Sequence, residues 1–129
     1  MAAPSSDLRR QLWRQFRASG SLLRQMTKPS ELVPGSFYLM HRKCGKPSCR
    51  CARGQLHATY VLTRSEAGKH KLYCVPASQR ARVRQLAAAW KRSQKARARL
   101  HKLHAQLLTL ADQIVKAQQV AWPPAASPP

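Results

Sequence analysis

The chain has 129 residues, enough for one small domain, and only 6% of them are aromatic. Such a composition supports only a thin core, and small cores usually need a metal, a disulfide or a partner subunit. With 24 Lys and Arg against 4 Asp and Glu, the net charge of +20 leaves almost no carboxylates for paired-acid catalysis and favours a polyanionic partner.

The N-terminal part of the chain is predicted to be helical. Residues 1–5 form a disordered start, and residues 6–27 form one helix or two short helices that meet at Gly20. The residues that can cap this helix have short side-chain oxygens that accept the free amide protons of a first turn: Ser5, Ser6 and Asp7. The apolar residues recur close to helical spacing: Leu8, Leu12, Phe16, Leu23 and Met26. Pro29 ends the helix.

The same N-terminal region carries no targeting or membrane signal. It lacks the charged start and apolar run of a signal peptide, and no stretch approaches the ~18 apolar residues of a transmembrane helix. We therefore expect a cytoplasmic protein with no membrane partner. In that compartment thiols stay reduced, so clustered cysteines favour a metal over a disulfide.

Residues 36–76 are predicted to form a three-stranded antiparallel meander. Strand-forming residues fill 36–43, 58–64 and 70–75, and the segment 65–68 reads as a turn. Such short connections are typical of hairpins between neighbouring antiparallel strands.

Residues 77–121 are predicted to form one long helix, because they contain no Gly or Pro and are rich in strong helix formers. A continuous helix is favoured over a bend near 92–96. Its second half carries a heptad seam with alternating steps of three and four residues: Leu100, Leu103, Leu107, Leu110 and Ile114. The earlier apolar positions do not share this register: Val83, Leu86 and Trp90. Residues 122–129 are a predicted disordered tail.

The heptad seam needs a packing partner. We expect it to pack on the N-terminal helix of the same chain, with homodimerisation through the same seam as the alternative to a monomer. The predicted fold class is thus α+β, with an N-terminal helix, a small zinc-pinned meander and a long C-terminal helix. Residues 6–121 form a single small domain in this prediction.

Three of the four cysteines lie within eight residues, at Cys44, Cys49 and Cys51. This C-x4-C-x-C spacing is followed by His57, and glycines and a proline within the segment let the loop fold back. A structural zinc site takes four Cys and His ligands, so the sequence predicts zinc bound by these three cysteines and His57. The other candidates for the fourth ligand are Cys74, His41 and His70. A metal-free reduced loop and a disulfide are the remaining interpretations.

The cysteine motif carries a family resemblance. The run from Arg42 to Gly54, with His57 and the Val75-Pro76 step, resembles a family of small basic bacterial proteins of unknown function with a CGKPxCxCAxGxxH motif. The resemblance covers residues 35–115 and implies a hairpin, a long C-terminal helix and a gene often encoded near transposases or recombinases. The chain departs from the family where Ala58-Thr59 replaces Gly-Pro.

Basic residues around the cysteine motif and along the long helix are the candidate contacts to nucleic acid. Phosphate contacts need Lys and Arg without acidic neighbours, and no acid occurs between Ala67 and Ala111. The alternative interpretation is a solvated basic surface. The candidates are Arg42, Lys43, Lys46, Arg50, Arg53, Arg80, Arg82, Arg84, Lys91, Arg92, Lys95, Arg97, Arg99 and Lys102.

The sequence favours a non-enzymatic nucleic-acid-binding accessory protein with structural zinc. No base or acid is identified beside the cysteines, which argues against a catalytic site. The implied gene surroundings favour DNA over RNA and a transposase or recombinase of a mobile element as partner. The alternative is a protein–protein adaptor that docks a larger enzyme through the Leu100–Ile114 seam.

Overall fold

The computed structural model describes residues 5–124 and has the predicted α+β architecture. Along the chain, one helix precedes a three-stranded sheet and a second, longer helix follows it. The elements are α1 (Ser5–Thr27), β1 (Ser36–Arg42), β2 (His57–Glu66), β3 (Lys69–Cys74) and α2 (Arg80–Gln118). The fold class predicted from the sequence is confirmed.

The element boundaries differ from the prediction in small ways. Helix α1 begins at Ser5 and continues through Gly20 without a break. A 3₁₀ turn at Ala77–Gln79 precedes α2, so α2 begins at Arg80, not at residue 77, and ends at Gln118 rather than at 121. Of the ends predicted to be disordered, residues 1–4 and 125–129 lie outside the described residues.

The sheet is an antiparallel meander with the order β1-β2-β3. The central strand β2 carries the buried residues, and Val61 is fully shielded from solvent. Gly35 lies at the entry to β1 with φ +132°, and a Cβ at this position would stand 2.6 Å from the carbonyl oxygen of Thr63. Only glycine therefore lets the chain enter the sheet this close to β2.

The described residues fall into two compact units. Residues 28–95 form one, and the residues up to Thr27 together with those from Ala96 onward form the other. Helix α2 contributes its first half to the sheet unit and its second half to the helical unit. Each unit has its own apolar cluster.

In the sheet unit, the core lies between the sheet and the first half of α2. Leu62, Val75 and Ala87 are buried there. Partly buried residues pack around them: Val33, Phe37, Tyr60 and Val83. The Val33 amide also donates a hydrogen bond to the carbonyl of Leu86 (3.2 Å), which ties the connector before β1 to α2.

In the helical unit, α1 packs against the second half of α2. Leu8 is buried with Leu110 and Ile114, and Leu12 packs against this cluster. Burying one such side chain contributes roughly 1.5–3 kcal/mol. The expected intramolecular packing of the seam on the N-terminal helix is therefore present, and the homodimer stays an alternative. No helix among residues 5–124 is long and apolar enough to cross a membrane.

Candidate metal centre and basic surfaces

The cysteine loop connects β1 to β2 and is closed by the sheet itself. Arg42, the last residue of β1, pairs with His57, the first residue of β2. The chain between them makes a tight turn in which the Cys49 amide donates to the Lys46 carbonyl (3.1 Å). A 3₁₀ turn at Arg50–Arg53 follows and carries Cys51. The sheet register therefore brings the two ends of the loop together.

The predicted ligands converge at this loop. One ligand atom from each of Cys44, Cys49, Cys51 and His57 lies within 4.8 Å of all the others. The Sγ atoms of Cys44 and Cys51 are 3.4 Å apart, and the Cys49 Sγ lies 3.1 Å from the His57 Nε2. A tetrahedral ion with bonds of ~2.3 Å to sulfur separates its sulfur ligands by ~3.8 Å. The four residues thus cluster in a way that can hold a metal ion.

The loop backbone donates a hydrogen bond to one of the sulfurs. The Cys44 amide donates a hydrogen bond to the Cys51 Sγ (3.2 Å), and this bond is the largest cause that lowers the pKa of the Cys51 thiol. The Lys46 amide acts to lower the pKa of Cys44, but the neighbouring sulfurs of Cys51 and Cys49 outweigh it, and this pKa is raised. Because metals bind thiolates, this backbone hydrogen bond favours the form of Cys51 that binds a metal.

The other candidates for a fourth ligand lie elsewhere on the sheet. Cys74 pairs with Val61, which is four residues along β2 from His57, or about 13 Å at the usual rise of a strand. His70 pairs with Ser65 near the opposite end of β2. His41 pairs with Ala58, and it does not belong to the cluster found among the described residues.

The basic residues of the cysteine loop remain open to solvent. All five candidates of this region are exposed: Arg42, Lys43, Lys46, Arg50 and Arg53. Cys51, by contrast, is only 1% exposed. The loop therefore buries a sulfur while it presents its cations outward.

The three candidates at the start of α2 are engaged with the sheet unit instead. The Arg80 guanidinium lies 4.1 Å above the ring centroid of Tyr60, and Arg84 stacks on Phe37 at 5.5 Å. Arg82 forms an ion pair with Glu31. Cation–π contacts of this kind stabilise packing, so Arg80 and Arg84 help to hold α2 on the sheet. Sequence reasoning did not separate them from free cations, because the sheet contacts involve residues distant in the chain.

The later candidates on α2 have no such contacts. All six are exposed; three lie in the sheet unit and three in the helical unit, in chain order Lys91, Arg92, Lys95, Arg97, Arg99 and Lys102. None of these six forms an ion pair with a carboxylate within residues 5–124. They fit the prediction of cations available to a polyanion.

A further set of cations lies on α1, outside the residues selected from the sequence. These side chains are exposed: Arg9, Arg10, Arg14, Arg17 and Arg24. The signal that could have found them is the apolar stripe of α1, because residues off that stripe face solvent on an amphipathic helix.

Comparison with known families gives a match over most of the chain. The model of a domain of unknown function, DUF6788, matches residues 6–85. The chain belongs to the DUF6788 family. The matched DUF6788 region includes α1 from residue 6, the whole sheet, the four clustered ligands and the start of α2. No curated protein and no solved structure matches the chain.

The DUF6788 match agrees with the resemblance to a family of unknown function and brings no activity with it. The exposed cations of α2 from Lys91 onward and the Leu100–Ile114 seam lie beyond the matched residues. The Cys and His cluster lies within them.

Proposed function

We propose that this DUF6788 protein is a non-enzymatic nucleic-acid-binding accessory protein with a structural zinc ion. The observation that carries the proposal is the shortage of acidic partners. Of the 24 Lys and Arg, only Arg10, Arg64 and Arg82 pair with a carboxylate within residues 5–124. Such a surface gains most from a partner that replaces many counterions at once, which is what a nucleic acid does.

Zinc is the metal that the donor set favours. Thiolates and imidazole are its preferred ligands, and a set of three cysteines and one histidine leaves no open position for substrate. The residues that would hold it are Cys44, Cys49, Cys51 and His57. Bound there, zinc would supply a crosslink between the end of β1 and the start of β2. This role suits a domain whose apolar clusters are small.

DNA is the favoured nucleic acid, and a transposase or recombinase is the favoured protein partner. Both choices rest on the gene surroundings implied by the family resemblance. The adaptor alternative has less support, because Leu110 and Ile114 of the proposed docking seam are buried with Leu8 of α1 and offer a partner little free surface.

The salt dependence of DNA binding tests the nucleic-acid proposal. Each phosphate that the protein neutralises adds about −0.9 to the slope of log K against log salt. Replacing Arg92, Lys95 and Arg99 together by Gln should weaken binding and make the slope shallower by about 0.9 for each phosphate that is no longer neutralised. The matched control is Arg64→Gln, since Arg64 already pairs with Glu66, and it should leave the slope unchanged. Wild-type protein that binds neither DNA nor RNA at low salt would refute the proposal.

Metal analysis of purified protein tests the zinc site. We expect one zinc per chain in the wild type, its loss in His57→Ala, and its retention in Cys74→Ala, because Cys74 pairs with Val61 away from the cluster. Zinc that survives in His57→Ala but disappears in Cys74→Ala would reverse the ligand assignment. A wild-type protein with far less than one zinc per chain would remove the structural metal altogether.

A further inference from the structure

Helix α1 exposes two aromatic side chains that its own packing does not use. Trp13 and Phe16 are each 55% exposed. Their rings contact each other edge to face, with centroids 5.7 Å apart and an interplanar angle of 87°. The residues of α1 that pack on α2 are Leu8 and Leu12. Contiguous exposed apolar groups, unlike singly scattered ones, are typical of an interaction surface.

Four arginines lie beside the Trp13 ring. A shallow groove of about 340 Å³ on α1 is lined by Trp13 together with Arg9, Arg10, Arg14 and Arg17. Arg10 pairs with Asp7, and the other three arginines of the groove form no ion pair within residues 5–124. Residues 9, 13 and 17 are four apart, so they lie on one face of the helix, about one turn from each other. We call the five residues that line the groove the Trp13 face.

The charge of the Trp13 face decides which partner fits it. A second copy of this chain would bring arginines against arginines, which opposes dimerisation through this face. An anionic membrane would attract the arginines, but Leu8 and Leu12 of the apolar stripe are occupied by packing on α2, so α1 offers lipid only part of its apolar face. A flat aromatic ring among cations matches a strand with negative phosphates and exposed base faces.

We propose that the Trp13 face binds single-stranded nucleic acid, with Trp13 stacked on an unpaired base and the flanking arginines on its phosphates. A base inside a duplex has both faces covered by its neighbours, so stacking on Trp13 requires unpaired nucleotides. Every base has such a face, so the inference applies to single-stranded DNA and RNA alike. It rests on the proposed function in taking nucleic acid as the partner, and it specifies the strand state recognised at α1.

Binding of a short oligo(dT) strand and of a duplex of equal length by the full-length, metal-replete protein tests the inference. Loss of a stacked aromatic side chain weakens single-strand binding by about 5-fold or more. We expect Trp13→Ala to show that loss for oligo(dT), while duplex affinity changes by less than about 2-fold, within the usual effect of a surface substitution. Trp13→Phe, which keeps an aromatic ring, should retain most of the affinity for oligo(dT).

The matched control is Trp122→Ala, because Trp122 is 87% exposed but does not line the groove of the Trp13 face. It should leave both affinities unchanged. Circular dichroism should show the same helix content for Trp13→Ala and wild type, since Trp13 takes no part in the buried clusters.

A variant whose only tryptophan is Trp13, made by replacing Trp90 and Trp122 with Phe, reports stacking directly. Oligo(dT) and oligo(U) should both quench its fluorescence, and vesicles of anionic lipid should not shift its emission. Three outcomes would overturn the inference: unchanged oligo(dT) affinity in Trp13→Ala, equal losses of affinity for single strand and duplex in that variant, or a fluorescence response to vesicles alone. In the first two cases wild-type binding to the duplex would still support the proposed function, whereas absence of all nucleic-acid binding would end both.

Discussion

Glu66 connects two side chains of the β2–β3 hairpin. Its Oε1 accepts a hydrogen bond from the Tyr73 hydroxyl (2.7 Å) and another from the Arg64 Nε (2.7 Å). The bond from Tyr73, followed by that from Arg64, lowers the pKa of Glu66 below its ordinary value of 4.5. The same bond to Glu66 is the main cause that raises the pKa of Tyr73 above 10.0.

These pKa shifts predict how stability depends on pH. Because the pKa of Glu66 is lower in the folded state, its contribution is present above about pH 4.5 and is lost as the pH falls through the folded value. The pKa of Tyr73 is raised, so its contribution is present below about pH 10 and is lost as the pH rises through its folded value. Urea unfolding of Glu66→Gln across the pH range should show a smaller loss of stability in acid than the wild type shows.

Tyr73→Phe provides the comparison for this prediction. It keeps the ring under the Arg64 guanidinium, which lies 5.1 Å from the ring centroid, but removes the hydroxyl that donates to Glu66. Its acid-range loss should lie between those of the wild type and Glu66→Gln. Identical acid-range profiles for all three proteins would contradict the assignment to Glu66.

At the scale of single residues, the sequence predicted the contacts between residues that lie close together along the chain. The four clustered ligands lie within 14 residues, so their convergence needs only a turn and one strand pair, and the preference for His57 over Cys74 as a member of the cluster agrees with the structure. The roles of Arg80 and Arg84 depend on Tyr60 and Phe37. These rings lie on β1 and β2 and meet the arginines through tertiary packing, so no spacing in the sequence reveals the contact.

Helix α2 packs differently along its length. Its first half places Val83 and Ala87 against the sheet, and its second half places Leu110 and Ile114 in the cluster with Leu8. Each half fits a separate partner, which explains why the apolar positions of the two halves do not share a register in the sequence.

The second half of α2 offers a matched pair of leucines for a stability test. Leu110 is 8% exposed and Leu108 is 66% exposed, although both lie on the same helix two residues apart. Leu110→Ala should cost about 2 kcal/mol or more in the free energy of unfolding, because it removes buried apolar contacts. Leu108→Ala should change it by less than about 0.5 kcal/mol. Denaturant unfolding of both variants measures the difference, and similar costs would contradict the packing of this seam.

The packing of α1 shows how far a periodic pattern reaches. Its spacing places Phe16 and Leu23 in one stripe with Leu8 and Leu12, yet Phe16 is 55% and Leu23 is 45% exposed. A single partner helix covers only a narrow stripe, so residues at the edge of a wider apolar face remain outside. Periodicity identifies the face, but the width that is buried depends on how many elements pack on it.

Charge is the property that acts on the molecule as a whole. A net charge of +20 with three ion pairs among residues 5–124 makes the compact state repel itself. The composition predicted this imbalance in full, because it needs no structure to count charges. What composition could not tell is that Arg80 and Arg84 lie over aromatic rings while the cations from Lys91 to Lys102 remain exposed.

Self-repulsion predicts opposite effects of salt on stability and on binding. Charges act on each other over about 30 Å at 0.01 M ionic strength but over only about 8 Å at 0.15 M. Added salt therefore weakens the repulsion between cations and should raise the melting temperature. DNA affinity should fall over the same range, because the release of counterions into a more concentrated salt solution is less favourable. Thermal melts followed by circular dichroism at the two ionic strengths measure the first effect.

The variant with Arg92, Lys95 and Arg99 replaced by Gln serves as its control: with three cations fewer, its melting temperature should rise less with salt than that of the wild type. A wild-type melting temperature that is unchanged or lower at the higher ionic strength would mean that favourable ion pairs, rather than repulsion, dominate the surface, and the argument for a polyanionic partner would lose its physical basis.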